Sequence, residues 1–345
     1  MSLPTVALGT EGLSTTSLGI GCAGLFRASS PGQREALLHT AYDVGIRHFD
    51  VAPMYGFGLA EPELGAFVRG RRAELTIATK FGIRATPVAR SLARVQGPVR
   101  RVLEANPALR SRARARAAGP AKGRIGRLLY APDGYDAAGA KLGLKRSLRA
   151  LRTDYLDLLL LHDPLPGSVR SDEVSSYLED ARTTGLIRSW GLAGEPRPTV
   201  AVARSFRSAV PVLQLRDDIF TRSLRDAPAG PAFITFEVLQ GALAAVVSHV
   251  AADRSRRDRW YEDVGADCGD PEVAASFLLR AALTENRDGV VLFSSVRAPH
   301  IRSASQVAET YRGGEDSALD SFLRLVDLEL HPLMDAKGTA VDSSG

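Results

Sequence analysis

Three features of this 345-residue sequence predict an α/β protein built as a closed (β/α)8 barrel, the TIM-barrel architecture. Eight short runs are rich in Val, Ile and Leu. Amphipathic stretches fall between them. No interruption of the alternation divides the chain into two repeats. Apolar runs of this kind, without polar alternation, read as parallel strands covered on both faces. They fall near residues 18–23, 46–51, 75–80, 156–161, 188–193, 211–216, 232–236 and 289–293.

The elements follow in chain order. Thr5 to Ser14 alternates about a Gly-containing turn and reads as a hairpin that caps the barrel bottom. After the first strand, Arg34 to Asp43 has a helical apolar face and Gly45 as its stop. Further helices are expected over Glu61 to Val68, Leu142 to Leu151, Asp172 to Thr183, Pro198 to Phe206, Pro271 to Leu283 and His300 to Tyr311, with a last one from Asp316 to Leu330. Two segments exceed the regular unit. Residues 84–135 form a long excursion after the third strand, with Gly97-Pro98 and Gly119-Pro120 as breakers. Residues 245–270 form a second, after the seventh strand, containing Trp260 and Tyr261. Both leave from the carboxyl ends of strands, where barrels build their sites, so both are expected to shape or lid a pocket. Phe26, Met54, Phe57, Trp260 and Tyr261 are expected to line it by position. The tail after Lys337 reads as disordered. Residues 1–345 are expected to form one barrel domain carrying these two insertions.

Composition narrows the class. With 45% hydrophobic and 24% charged residues, the chain suits a globular protein with a large core. Cys22 and Cys268 are too few for a disulfide framework or a zinc cluster, and no metal site is expected. The start, Met1-Ser-Leu-Pro-Thr5, lacks a signal pattern and no apolar run reaches the ~18 residues of a spanning helix, so a cytoplasmic location is expected and no membrane partner. The net charge of +5 is uneven: residues 84–130 carry twelve basic side chains against Glu104 alone, a net +11, which leaves the remainder at −6. Leu109-Arg-Ser-Arg-Ala-Arg-Ala-Arg-Ala-Ala118 lacks interleaved aromatics, so a solvated flap or an anionic partner is a better reading than nucleic acid.

Four residues stand at carboxyl ends of the early strands: Asp50, Tyr55 just beyond it, Lys80 and His162. A phenol, with an ordinary pKa of about 10, can protonate a carbonyl oxygen if a neighbouring ammonium stabilises the phenolate. Lys80 supplies the ammonium, Asp50 would hold it, and His162 would orient the carbonyl. No side chain supplies a hydride, so a general acid in this setting implies a nicotinamide cofactor. A lyase or isomerase moving protons through the Tyr55/Lys80 pair, and a non-catalytic cofactor-binding or regulatory barrel, remain open alternatives.

Asp50-Val-Ala-Pro-Met-Tyr55-Gly56 with Glu63-Leu-Gly65, Ala78-Thr-Lys80, and Asp154-Tyr-Leu-Asp157 running into His162 together resemble the signatures of the aldo-keto reductase family. The resemblance covers the chain outside the two excursions. It implies an NAD(P)-dependent oxidoreductase that reduces an aldehyde or ketone, or oxidises the alcohol. Tyr55 would be its general acid/base, and Lys80, Asp50 and His162 its supports. It also implies an extended NADPH, with NADH as the alternative, and no Rossmann glycine loop; the chain has no such loop. On the cofactor side, Gln214 matches the family glutamine and Phe236 stands in for a stacking tyrosine. Ser295 matches a hydroxyl near the 2′-phosphate, Ser294 and His300 replace a frequent lysine and arginine, and Arg297 and Arg302 offer charge. The fifth strand departs, reading Gly191-Leu-Ala193-Gly194-Glu195 where the family commonly has Gly-Val-Ser-Asn. The expected substrate is a small carbonyl compound or alcohol of specialised metabolism, bulky or anionic. Oligomeric state is not legible.

Overall fold

The computed structural model describes residues 2–333 apart from 10, 11, 29, 93–127 and 312. The Arg-rich core of the first excursion and the tail after Lys337 lie outside the described residues. The barrel strands are β3 (Leu18–Gly21), β4 (His48–Asp50), β5 (Thr76–Phe81), β8 (Leu156–His162), β9 (Ile187–Gly194), β10 (Val212–Arg216), β11 (Ala232–Phe236) and β12 (Val290–Phe293). Each pairs in parallel with its neighbour, and β12 on β3 closes the ring. All eight expected strands are therefore present, displaced by no more than about two residues. Most of the strands are continuously buried, and a closed parallel ring is the arrangement that leaves no strand edge unpaired.

The expected hairpin is β1 (Thr5–Ala7) against β2 (Ser14–Thr16). Its Leu8 and Leu13 are buried among Leu158, Val212 and Val290, so the hairpin plugs the barrel floor. Helices α1 (Pro31–Asp43), α2 (Ala60–Phe67), α3 (Ala137–Leu151), α4 (Ser171–Thr183) and α5 (Pro196–Ala203) surround the first strands. Two family-like residues are explained by this packing. Glu63 forms a two-point ion pair with Arg34 at 2.6 and 2.7 Å, tying α2 to α1. Gly65 lets α2 approach α3: a Cβ there would stand 2.6 Å from the Ala150 carbonyl oxygen.

The two excursions differ from expectation in different ways. At the neck of the first, β6 (Ile83–Ala85) and β7 (Tyr130–Pro132) pair antiparallel, a two-stranded ribbon without a clear sequence signal. The second is no lid. It forms α6 (Ala242–Ala251) and α7 (Arg254–Val264), followed by α8 (Pro271–Glu285) and α9 (Ala298–Thr310). The helix α10 (Ser317–Leu325) packs on α7 and α8, and the turn Val326–Leu330 that continues it packs on α6. Trp260 is wholly buried in this second core with Val246, Phe277 and Phe322, and its indole N–H donates to Glu329. The apolar faces of α6 and α7 found partners in α10 and the turn that continues it, which removed Trp260 from the mouth.

Candidate active site

The barrel opens at its carboxyl-end face into a cavity of about 660 Å3. Asp50 ends β4, and its two carboxylate oxygens accept from the Lys80 Nζ at 2.8 and 2.7 Å. Lys80 also donates to the Val51 carbonyl at 3.2 Å. Both side chains are nearly fully buried, at 2% and 4% exposure. Burial works against the Lys80 charge, but Asp50 and then Tyr55 outweigh it and raise its pKa, so the ammonium is retained.

Tyr55 begins a short 3-10 turn (Tyr55–Gly58) whose Gly56 and Phe57 both have positive φ. Gly56 is required there, because a Cβ would sit about 2.4 Å from the Phe26 ring. The turn brings the Tyr55 ring to 5.2 Å from Lys80 Nζ and edge-on to His162, with centroids 6.0 Å apart. Burial is the largest influence on the phenol and raises its pKa to about 12, with Lys80 opposing and Asp50 adding to the rise. Lys80 therefore acts in the expected direction, but in the resting site burial wins and the phenol keeps its proton. His162 goes the other way: burial, then the Lys80 charge, lower it to about 3, so its imidazole is neutral. Its Nδ1 is buried without a partner. The Tyr135 hydroxyl donates to the His162 carbonyl. Tyr135 fits because residue 82 is glycine, where a Cβ would collide with its ring at 2.1 Å.

Of the expected cofactor residues, Gln214, Phe236, Ser294, Ser295 and His300 all lie on the cavity wall. Gln214 is 2% exposed and its Oε1 has no hydrogen-bond partner. Ser294 Oγ donates to the Gly21 carbonyl at 2.6 Å, so that hydroxyl is already committed. Ser295 Oγ accepts from the Arg297 N–H at 3.1 Å and lies 3.3 Å from His300 Nδ1, just ahead of α9. Arg297 and Arg302 are exposed and neither is part of the wall. Nor are Phe26, Met54, Phe57, Trp260 and Tyr261. Phe26 and Phe57 instead pack on Arg34 and Tyr130, and Tyr261 faces solvent.

The wall includes residues that sequence reasoning missed: Arg27, Asp163, Glu195, Glu237, Gln240 and Glu272. Asp163, Glu195 and Glu237 each follow the last residue of a barrel strand. Applying the strand-end criterion to all eight strands, not only to those with the signature residues, would have found them. Tyr135 had no such signal, since its contact spans 27 residues of sequence.

A parallel eight-stranded barrel with a Tyr–Lys–Asp–His group at its carboxyl-end mouth defines the class of protein. A sequence model described as the aldo/keto reductase family matches residues 17–222. The chain belongs to the aldo/keto reductase family. It is similar to D-threo-aldose 1-dehydrogenase of a Pseudomonas species, 30% identical over 221 residues, or 61% of this chain and 58% of that protein. It is also similar to pyridoxal 4-dehydrogenase of Microbacterium luteolum, 46% identical over 79 residues, or 22% of this chain and 23% of that protein. These stretches span less than two thirds of either relative. Among solved structures it resembles the holo form of an aldo-keto reductase from Bacillus halodurans, with a TM-score of 0.64 at 18% identity over 95% of this chain and 99% of the other. It also resembles an aldo-keto reductase from Klebsiella pneumoniae in complex with NADPH, with a TM-score of 0.62 at 18% identity over 95% of each chain. Among the described residues no helix is long and apolar enough to cross a membrane.

Proposed function

We propose that the protein is an oxidoreductase interconverting a small aldehyde or ketone and its alcohol, with Tyr55 as general acid/base. The observation that carries this reading is one cavity holding a protonated phenol, a buried ammonium 5.2 Å from its ring, and a neutral imidazole edge-on to it. A carbonyl oxygen set between Tyr55 Oη and His162 takes the phenolic proton as negative charge develops on it. The Lys80 ammonium, held by Asp50, then stabilises the phenolate. In oxidation the phenolate takes the alcohol proton and the same charges act in reverse. A bound nicotinamide cofactor supplies or accepts the hydride.

The residues present fit that cofactor. Gln214 Oε1 is a buried acceptor with no protein donor, as a carboxamide N–H requires. Phe236 offers a ring face on the same wall, and Ser295 and His300 stand at the start of α9, a site suited to a phosphate. We read the cofactor as NADPH, with NADH as the alternative. NADPH accompanies the Klebsiella pneumoniae neighbour, and NADP(+) is in the name of a 38% identical Schizosaccharomyces pombe relative, matched over 92 residues, 25% of this chain and 26% of that protein. On the described wall, carboxylates outnumber cations, so a neutral or cationic substrate fits better than an anionic one. We also read residues 1–345 as a single barrel domain with the two insertions.

Calorimetric titration with NADPH and NADH, followed by a panel of aldehydes, ketones and alcohols monitored by nicotinamide absorbance, tests the reading. Binding of at least one cofactor and turnover of some panel member is expected. Binding of neither cofactor at millimolar concentration sinks it.

A further inference from the structure

A nicotinamide that exchanges hydride with a carbon held at Tyr55 and His162 must place its ring beside that carbon, within the part of the cavity bounded by His162, Gln214 and Phe236. The two forms of the cofactor differ there in one respect that electrostatics can read. The oxidised ring carries a positive charge and the reduced ring carries none. Fixed charge near the ring therefore changes the ratio of the two affinities, while contacts to the phosphates, ribose and adenine cancel from it.

The charges around this space do not balance. Lys80 is neutralised by Asp50 through two hydrogen bonds. Among the described residues Asp163, next to His162 in sequence and on the same wall, forms no ion pair with a Lys or Arg. Among the described residues its carboxylate accepts no hydrogen bond, and its nearest ionisable partner is the neutral His162, with Nε2 3.8 Å away. The carboxylate occupies space that a side chain at 194 would take: a Cβ on Gly194 would stand 2.6 Å from Asp163 Oδ1. The departure of the fifth strand from the family pattern is thus coupled to the position of this acid. The main chain holds it there. Asp163 N–H donates to the Ala193 carbonyl at 2.7 Å, and the residue adopts a φ of 47°. Glu195 and Glu237 stand on the same wall, Glu195 offset by Arg216 at 3.0 Å. Burial and then Glu195 raise the pKa of Asp163, with Lys80 opposing more weakly, which accords with crowding of like charge. Two further polar groups on this wall, Gln214 Oε1 and His162 Nδ1, are buried without partners, which marks the place as made for a ligand.

We propose that Asp163 sets the redox-form preference of the site, making it bind the oxidised, cationic nicotinamide more tightly relative to the reduced form than a neutral residue would. This rests on the oxidoreductase reading above. In a pool containing both forms Asp163 raises the share of the protein that carries the oxidised cofactor, the form that takes hydride from an alcohol. The overall equilibrium of the reaction is untouched; the form that occupies the free protein is what changes.

The test is the ratio of dissociation constants, measured by calorimetry on the intact protein with NADP+, NADPH, NAD+ and NADH at neutral pH and low salt. Asp163→Asn keeps the shape, and Asn tolerates the left-handed backbone at least as well as Asp. The variant should bind the oxidised form roughly five- to tenfold more weakly relative to the reduced form than the wild type does, as expected for one partly screened unit charge. Raising the salt should shrink the difference between the two proteins. A ratio within about twofold of wild type in the variant overturns the assignment to Asp163 while leaving the oxidoreductase reading in place. Failure of all four cofactors to bind the wild type removes both.

Discussion

On one side of the barrel mouth Asp50 and Lys80 are almost wholly buried and bonded twice to each other. On the other, Ser294, Ser295 and His300 are more exposed and bond to neighbouring main chain and to one another. The first group belongs to the core as well as to the cavity wall. This difference agrees with where the chain keeps and leaves the family's sequence pattern: Asp50 and Lys80 match it, and Ser294 and His300 depart from it. The family match itself, residues 17–222, ends before β11 and β12, on which the second side is built.

The largest expected effect breaks the comparison at its centre. Tyr55→Phe should lower turnover by roughly 10³-fold or more while cofactor affinity stays within about threefold, measured by steady-state kinetics and calorimetry. Retained turnover would remove Tyr55 from its role. Next, Lys80→Met should cost about 3–5 kcal/mol of stability in urea unfolding, because it strands a buried carboxylate. Adding Asp50→Asn should recover part of that loss, and a double variant no more stable than the single one would argue against the pair as a structural unit.

The buried histidines extend the comparison to pH. His48 and His162 are both lowered from 6.5 to about 3 in the folded protein, burial being the first cause and Lys80 the second. The unfolded chain therefore binds more protons than the folded one between those values. By linkage, stability should fall as pH drops from about 6.5 toward 3, by up to about 1.4 kcal/mol per histidine per pH unit. Urea midpoints at pH 7, 6 and 5 would check the sign, and midpoints that do not fall on acidification would show that the histidines are not held neutral. On the cofactor side, Gln214→Leu should weaken cofactor binding about tenfold, the worth of one buried hydrogen bond. Ser294→Ala should change it by less than about twofold, since that hydroxyl already serves Gly21. If these last two came out in the reverse order, the two sides of the wall would have been assigned wrongly.

How much was legible in the sequence depended on the range over which each residue acts. Strands such as Leu158 to Leu161 announce themselves because an apolar run buried on both faces is a local pattern. Asp50, Tyr55, Lys80 and His162 were legible because each is tied to the end of such a strand. Trp260 was misplaced because its burial depends on Phe322, 62 residues away, which gives no signal at Trp260 itself. Asp163 went unremarked although it follows His162 directly. Its importance depends on Gly194, whose missing side chain matters only once β8 and β9 lie side by side.

By itself the sequence determined the barrel, its eight strands, the plug at its floor and the strand-end placement of Asp50, Tyr55, Lys80 and His162, because periodicity and strand-end position are properties of short stretches of chain. Tertiary structure decided which charges share a space. It set burial above the Lys80 charge in fixing the Tyr55 pKa, turned the second excursion into a packed core instead of a lid, and left Asp163 on the wall of the mouth with no Lys or Arg ion pair among the described residues. Those outcomes depend on distance and desolvation, which exist only after the strands have closed the ring.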